Sequence, residues 1–378
     1  MENKLNIKEM YRLPWTKDDN PDGWIEVTTY CQLKCPGCYR GLAEENPKRM
    51  HEDLKQIKSE IDSLIKSRNI QTLSIAGGEP LLYPKIKQVI EYASSKKIKT
   101  KIFTNGVLLT KNKLEDLKIA GVTEFVVHID KYQARPDINN NSPNELREKF
   151  CKMFREVGGV NLGFIMPVSG EDYSDLSETV ELCKKNSDVV NLLVLSPYKD
   201  VLLNYNKTFS KNKLENPDAV NLSKFLSEKF ESKPCAYLGK VISKDQPSWI
   251  FMIPIFYGEK IVGYLDSFLY KKFQERYRKK KGKYFITIRG NKINIKSILP
   301  FILRKNVFKI LWNFGREKKK NKGKTLRYQV ILIIDGPDKI NGKWNLCDGC
   351  PDAMYHKGKL VPSCLLERVK SGEDISIE

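Results

Sequence analysis

The chain has 378 residues, 40% hydrophobic and 30% charged, which gives a globular protein with a sizeable core and excludes a disordered or fibrous one. No run of about 20 apolar residues is present, and the polar N-terminus lacks the apolar stretch of a secretory signal. Formal net charge is +20, from 66 Lys/Arg against 46 Asp/Glu, and nearly all of the excess lies between Lys271 and Lys324. The expected location is cytoplasmic, with peripheral membrane contact through that one basic segment.

Taken in order, the first two-thirds alternate between β-type and helix-period runs. A strand over 23–29 delivers a loop carrying Cys31, Cys35 and Cys38. Leu54, Ile57, Ile61, Leu64 and Ile65 then recur at the spacing of a helix with one buried face. Strands follow at 72–76, 101–104, 124–129, 161–166 and 191–195, separated by helical segments near 86–93, 114–120, 144–156 and 174–185. Six strands alternating with helices predict a parallel sheet. Beyond about residue 205 the alternation stops. A hairpin is expected over 248–265, then the basic segment 271–324, then a strand over 328–334. The expected domains are 1–230 and a C-terminal extension, 231–378.

Three thiols at C-x3-C-x2-C spacing make a soft-ligand claw with one metal position left open, suited to zinc or to an iron–sulfur cluster. A zinc knuckle completed by a distant residue is the alternative reading of that spacing. One βα unit later, Gly77, Gly78, Glu79 and Pro80 end the second strand, where the glycines allow close backbone approach and Glu79 supplies an anion. Together with Tyr39, which follows the third cysteine, these motifs resemble the radical S-adenosylmethionine (SAM) enzymes over roughly residues 23–200.

That resemblance implies an α/β fold built on a partial (β/α)6 TIM-type barrel, with chemistry at the carboxyl ends of the strands. It implies that Cys31, Cys35 and Cys38 hold three irons of a [4Fe–4S] cluster and that SAM chelates the fourth. Gly77 to Pro80 would line the methionine end of SAM. Thr104 and Asn105, before Gly106, would lie near its ribose and carboxylate, and Tyr39 near its adenine. His128 and Asp130 close the fourth strand, His128 either as a polar contact to SAM or substrate or as a satisfied buried histidine. Met166 either leans on the adenosyl group or is simply core. The implied reaction is one-electron cleavage of SAM to a 5′-deoxyadenosyl radical that abstracts hydrogen, fed by a flavodoxin- or ferredoxin-type reductant.

Cys347, Cys350 and Cys364 form a second metal half-site in the α+β extension, with Cys235 expected as fourth ligand. The layout resembles the SPASM or twitch auxiliary-cluster domains and fits at most one further [4Fe–4S] cluster; zinc completed by His356 is the alternative. Cys151 and Cys183 read as core residues. In the basic segment, Phe301, Ile302, Leu303, Val307, Phe308, Ile310, Leu311 and Trp312 are expected on a broad apolar face, with Lys305, Asn306, Lys309 and Asn313 on a polar strip. An anionic membrane surface is the expected partner. A helix docked on the barrel is the alternative, and nucleic acid explains the apolar content less well. The expected substrate is therefore a lipid or other hydrophobe, with peptide maturation as the enzymatic rival and a non-catalytic metal scaffold as the rival of another class.

Overall fold

The structure is a computed structural model and describes residues 5–35, 38–42, 49–131, 133, 135–138, 142–170, 173–199, 201, 218–287 and 291–377. Residues 36–37 of the cysteine loop and 288–290 of the basic segment lie outside the described residues. After a short β1 (Tyr11–Arg12), six strands alternate with helices. They are β2 (Asp22–Glu26), α1 (Leu54–Arg68), β3 (Thr72–Ala76), α2 (Ile86–Ser95), β4 (Lys99–Thr104) and α3 (Lys111–Ala120), followed by β5 (Val122–His128), α4 (Pro143–Val157), β6 (Asn161–Val168), α5 (Ser174–Lys185), β7 (Val190–Pro197) and α6 (Ala219–Lys229). Each of β2 to β6 pairs in parallel with the next.

Local chemistry explains the units. Asp53 accepts the backbone N–H groups of Lys55 and Gln56 and so starts α1. Its buried stripe is Ile57, Ile61 and Leu64, and Asn69, at φ 52°, ends it in the left-handed conformation. Across the starts of β2, β3 and β4, the buried Asp22 carboxylate accepts from Ser74 Oγ at 2.7 Å and Lys101 Nζ at 3.2 Å. Burial alone would expel these charges, so they persist as a pair.

The C-terminal region supplies β8 (Pro234–Gly239), β9 (Pro247–Met252), β10 (Pro254–Tyr257), β11 (Lys260–Tyr264), α7 (Ser267–Lys281), α8 (Lys305–Lys320), β12 (Leu326–Tyr328) and β13 (Val330–Ile334). Two hairpins follow, β14 (Asp338–Ile340) with β15 (Lys343–Asn345) and β16 (Ala353–His356) with β17 (Lys359–Pro362), then α9 (Leu366–Lys370). The sheet does not stop at six strands. β13 adds in parallel to β7, β9 runs antiparallel to β13, β8 antiparallel to β9, and β1 lies beside β8, giving ten strands in one sheet. Hydrogen-bonded strands thus cross the expected 230/231 boundary. The expected hairpin over 248–265 is also divided: β9 joins the large sheet, while β10, β11 and β12 form a separate three-stranded one. Pro254, which has no N–H to give a ladder, sits at the change of sheet.

The small sheet and α7 attach at the amino ends of the parallel strands. Ser187 Oγ, just before β7, donates to Gly258 O at 2.8 Å, and Thr287 Oγ1 donates to Glu124 near the start of β5. Lys283 Nζ likewise reaches Ile70 O, ahead of β3. Helix α8 packs on the edge strand β11 with a face the periodicity did not predict. Asn306 Nδ2 donates to Tyr264 O at 3.0 Å and Asn313 Nδ2 to Val262 O at 3.2 Å, flanking the buried Val307 and Ile310. Edge carbonyls demand donors, so the two asparagines face inward and Phe308 and Trp312 are left outside. No described helix is long and apolar enough to cross a membrane.

Candidate active site

The motif residues gather at the carboxyl ends of β2 to β5, opposite the small sheet. After β2 the chain runs past Thr28 to Tyr30 into Cys31. Gly77 and Gly78 press against this stretch from the end of β3: Gly78 N–H donates to Thr28 O and Glu79 N–H to Tyr30 O, both at 2.7 Å. A Cβ on Gly77 would meet Thr28 O at 2.3 Å, and one on Gly78 would meet Tyr30 O at 2.3 Å. The close approach that requires glycine is therefore between two segments of this chain.

Glu79 is fully buried, and protein donors occupy its carboxylate. Oε1 accepts from Thr104 Oγ1 at 2.7 Å and Leu81 N–H at 2.9 Å; Oε2 accepts from Asn105 N–H at 2.8 Å. Burial raises its pKa above the ordinary carboxylate range despite those bonds. Glu79 thus joins the ends of β3 and β4, and Pro80 opens the short 3-10 turn beside it. Asn105 carries the connection onward: Oδ1 accepts from Gln32 Nε2 at 3.1 Å, and Nδ2 lies 3.8 Å from Cys31 Sγ.

The cysteine loop has the donor chemistry of a soft-metal claw. Cys31, Cys35 and Cys38 are half-buried and feel one another's charge. Burial pushes the Cys35 thiol up to about 12, with Cys38, Asp130 and Cys31 adding repulsion, and burial raises Cys31 as well. A cationic centre bound among them would reverse that sign, since coordination deprotonates a thiol. The residues fit an iron–sulfur cluster by donor type and by the Asn105 amide directed at the Cys31 sulfur. Among the described residues, no three Cys, His, Asp or Glu side chains converge closely enough to hold a metal ion.

His128 and Asp130 are held together, Nε2 to Oδ2, at 2.7 Å. Asp130 is buried and accepts from Gln133 N–H. Arg135, not singled out by sequence, ties this corner to β4: Nη1 donates to Asn105 O at 2.7 Å and His128 O at 3.1 Å, while Asp137 holds its far edge. Met166 sits 3.6 Å from Arg147 Nη2 through its sulfur. Tyr39 packs against the apolar cluster of Val201, Leu346, Leu365 and Ile375, against which Cys364 also packs. Its ring therefore meets protein from the C-terminal segment.

The same segment brings Cys347, Cys350 and Cys364 near one another. Cys350 and Cys347 share a hydrogen bond that lowers the Cys347 thiol and raises Cys350, and Cys364 and Asp352 lie within electrostatic reach of both. Arg68, fully buried, donates to Gly349 O and to Cys350 O at 2.7 Å, and Asn20 donates to Gly349 O at 2.6 Å. This pins the turn to the start of the barrel. Cys235 is not brought to the trio. It lies near the amino end of β8 with its thiol toward Phe251 O, whereas Cys347 bridges Lys240 just beyond the other end. Five residues of strand separate the two levels, about 16 Å. His356 lies instead on a cavity of about 830 Å³ with Glu26, Arg40 and Glu367. Cys151 and Cys183 are core residues of α4 and α5.

Arg40 is a further buried cation that the sequence did not single out. It is buried between Glu26, at 2.5 Å, and Glu367, coupling the cysteine loop to α9. A lone Glu inside the apolar run Trp24, Ile25, Val27 was the available signal, because a buried carboxylate needs a partner.

Residues 25–183 match the Radical SAM superfamily. The chain is 29% identical over 182 residues to the "Probable GTP 3',8-cyclase" of Methanococcus vannielii, covering 46% of this chain and 58% of that protein. It is 34% identical over 95 residues to the antilisterial bacteriocin subtilosin biosynthesis protein AlbA of Bacillus subtilis, covering 25% of this chain and 20% of that protein. The crystal structure of Streptococcus suis SuiB bound to S-adenosylmethionine aligns with TM-score 0.45 and 19% identity, over 57% of this chain and 48% of that one. The cysteine loop and the Gly77–Gly78 contact both lie inside the matched stretch, so residues 25–183 are similar to the radical SAM superfamily, whose members bind a [4Fe–4S] cluster and SAM.

Proposed function

We propose that Cys31, Cys35 and Cys38 hold the cluster and that the protein cleaves SAM reductively to take hydrogen from a peptide substrate. The observation that carries the first half is the convergence of the cysteine loop, Gly77 to Pro80, Thr104, Asn105 and the His128–Asp130 pair at adjoining strand ends. Bound there, cluster and SAM supply one-electron rupture of a carbon–sulfur bond and a 5′-deoxyadenosyl radical. The chain's own residues position and shield. Glu79 fixes the Asn105 backbone, Asn105 turns its amide toward Cys31, and Arg49 Nη1 holds Cys31 O at 2.6 Å. Arg135 closes the corner between β4 and β5, and the half-buried His128, held by the buried Asp130, offers a polar contact for SAM or substrate.

Peptide is favoured over lipid for three reasons. Cys364 of the second cysteine group packs against the same apolar cluster as Tyr39, which suits an auxiliary cluster near the first cysteine loop, and one relative is named for bacteriocin biosynthesis. The basic segment, which was the ground for a lipid substrate, packs at the amino ends of the strands, away from the site. Cys347, Cys350 and Cys364 are the proposed ligands of that second cluster, and a flavodoxin- or ferredoxin-type protein the proposed reductant. Anaerobic reconstitution, with iron, sulfide and zinc counted, followed by a 5′-deoxyadenosine assay with dithionite, tests the reading. Deoxyadenosine that disappears in Cys35→Ala is expected. A fully loaded, reducible cluster that forms none refutes the enzyme and leaves the scaffold.

A further inference from the structure

We infer that the outward face of α8 and the turn before it dock on an anionic lipid surface, at the pole opposite the cysteine loop. Ten large hydrophobic side chains are exposed among the described residues, and five fall within one short stretch: Leu299, Ile302, Leu303, Phe308 and Trp312. Leu303 is 100% exposed, Phe308 58% and Trp312 67%, and the two rings stack at 6.4 Å. The inner face of the helix is already used. Ile310 lies so close to Gly263 that a Cβ there would meet it at 2.5 Å, and Asn306 and Asn313 close the edge of β11. The exposed residues cannot turn inward without breaking those bonds, so they need an external partner.

Charge identifies the partner. From 299 to 324 the chain carries nine Lys/Arg against Glu317 alone, and that carboxylate is only 12% exposed. Apolar and aromatic side chains ringed by cations match the acyl boundary and the anionic headgroups of a bilayer together. A nucleic acid would use the cations and leave Leu303 and Ile302 unpaired. A second copy of the chain would set the same cationic rings against each other. Docking in this way turns the cysteine loop toward the aqueous side, so the substrate approaches from water. The inference is independent of the proposed substrate.

The test is flotation of the full chain, with its cluster reconstituted, on vesicles of phosphatidylcholine with or without phosphatidylglycerol. Because Trp15, Trp24 and Trp249 are buried and Trp344 is half-buried with its Nε1 donating to Glu373, a blue shift on binding reports chiefly Trp312. Binding that requires phosphatidylglycerol is expected, and it should weaken about a hundredfold in K318Q/K319Q/K320Q, at about fivefold per basic residue. The triple variant L303S/F308S/W312S, altered only at exposed positions, should fold normally and lose the vesicles. Failure of the intact protein to bind anionic vesicles, or undiminished binding by the serine variant, overturns the inference. So does RNA binding or self-association in place of vesicle binding that depends on the same three residues.

Discussion

Replacing Glu79 separates a carboxylate that holds the site together from one that only faces a ligand. Its three donors are Thr104 Oγ1, Leu81 N–H and Asn105 N–H, all within 2.9 Å. In Glu79→Gln a single oxygen can keep the first two, but the amide then turns its own N–H groups toward Asn105 N–H. One bond is lost and one buried donor is orphaned, a cost of about 1–3 kcal/mol. In Glu79→Ala all three donors are orphaned, and about 3–5 kcal/mol is expected once relief of the buried charge is subtracted. Urea unfolding of the apo-protein measures both. The pH dependence has a definite sign. The folded pKa of Glu79 is raised by burial, so its contribution is complete below the unfolded carboxyl value and is lost as pH rises through the folded one. Glu79→Gln should therefore flatten the decline in stability above the ordinary carboxylate range. If both variants unfold within about 0.5 kcal/mol of the parent, Glu79 does not join the two strand ends.

Gly78→Ala should lower deoxyadenosine formation by about a hundredfold, because its Cβ must displace the Tyr30 carbonyl one residue before Cys31; unchanged turnover refutes the close-approach explanation. Lys101→Met should cost about 3–5 kcal/mol by stranding Asp22, and D22N/K101M should recover most of that loss, as read by a denaturation double-mutant cycle. Cys235→Ser should leave iron content unchanged after reconstitution, whereas Cys347→Ser should remove the second metal's share; equal losses would place Cys235 among the ligands. Arg135→Leu should impair SAM cleavage more than it lowers thermal stability, since it releases the Asn105 and His128 carbonyls together; an effect on stability alone makes Arg135 merely structural.

The chemistry of the site was legible in the chain because it is local. Three thiols within eight residues, and two glycines followed by Glu-Pro one βα unit later, need no long-range information to be recognised. The six alternating units were legible for the same reason: helix and strand periods are properties of short windows, and α1 and β3 begin where the periodicity puts them. What each local piece meets was decided only by the tertiary structure. The sheet continues past β7 because β13, more than 130 residues away in sequence, offers a matching parallel edge. Cys235 left the second cysteine group because β8 holds its two ends a strand's length apart. Helix α8 turned its asparagines inward because the carbonyls of edge strand β11 needed donors more than Phe308 and Trp312 needed cover. Hydrophobic periodicity marks which side of a helix could be buried; unsatisfied backbone groups on its neighbour determine which side is.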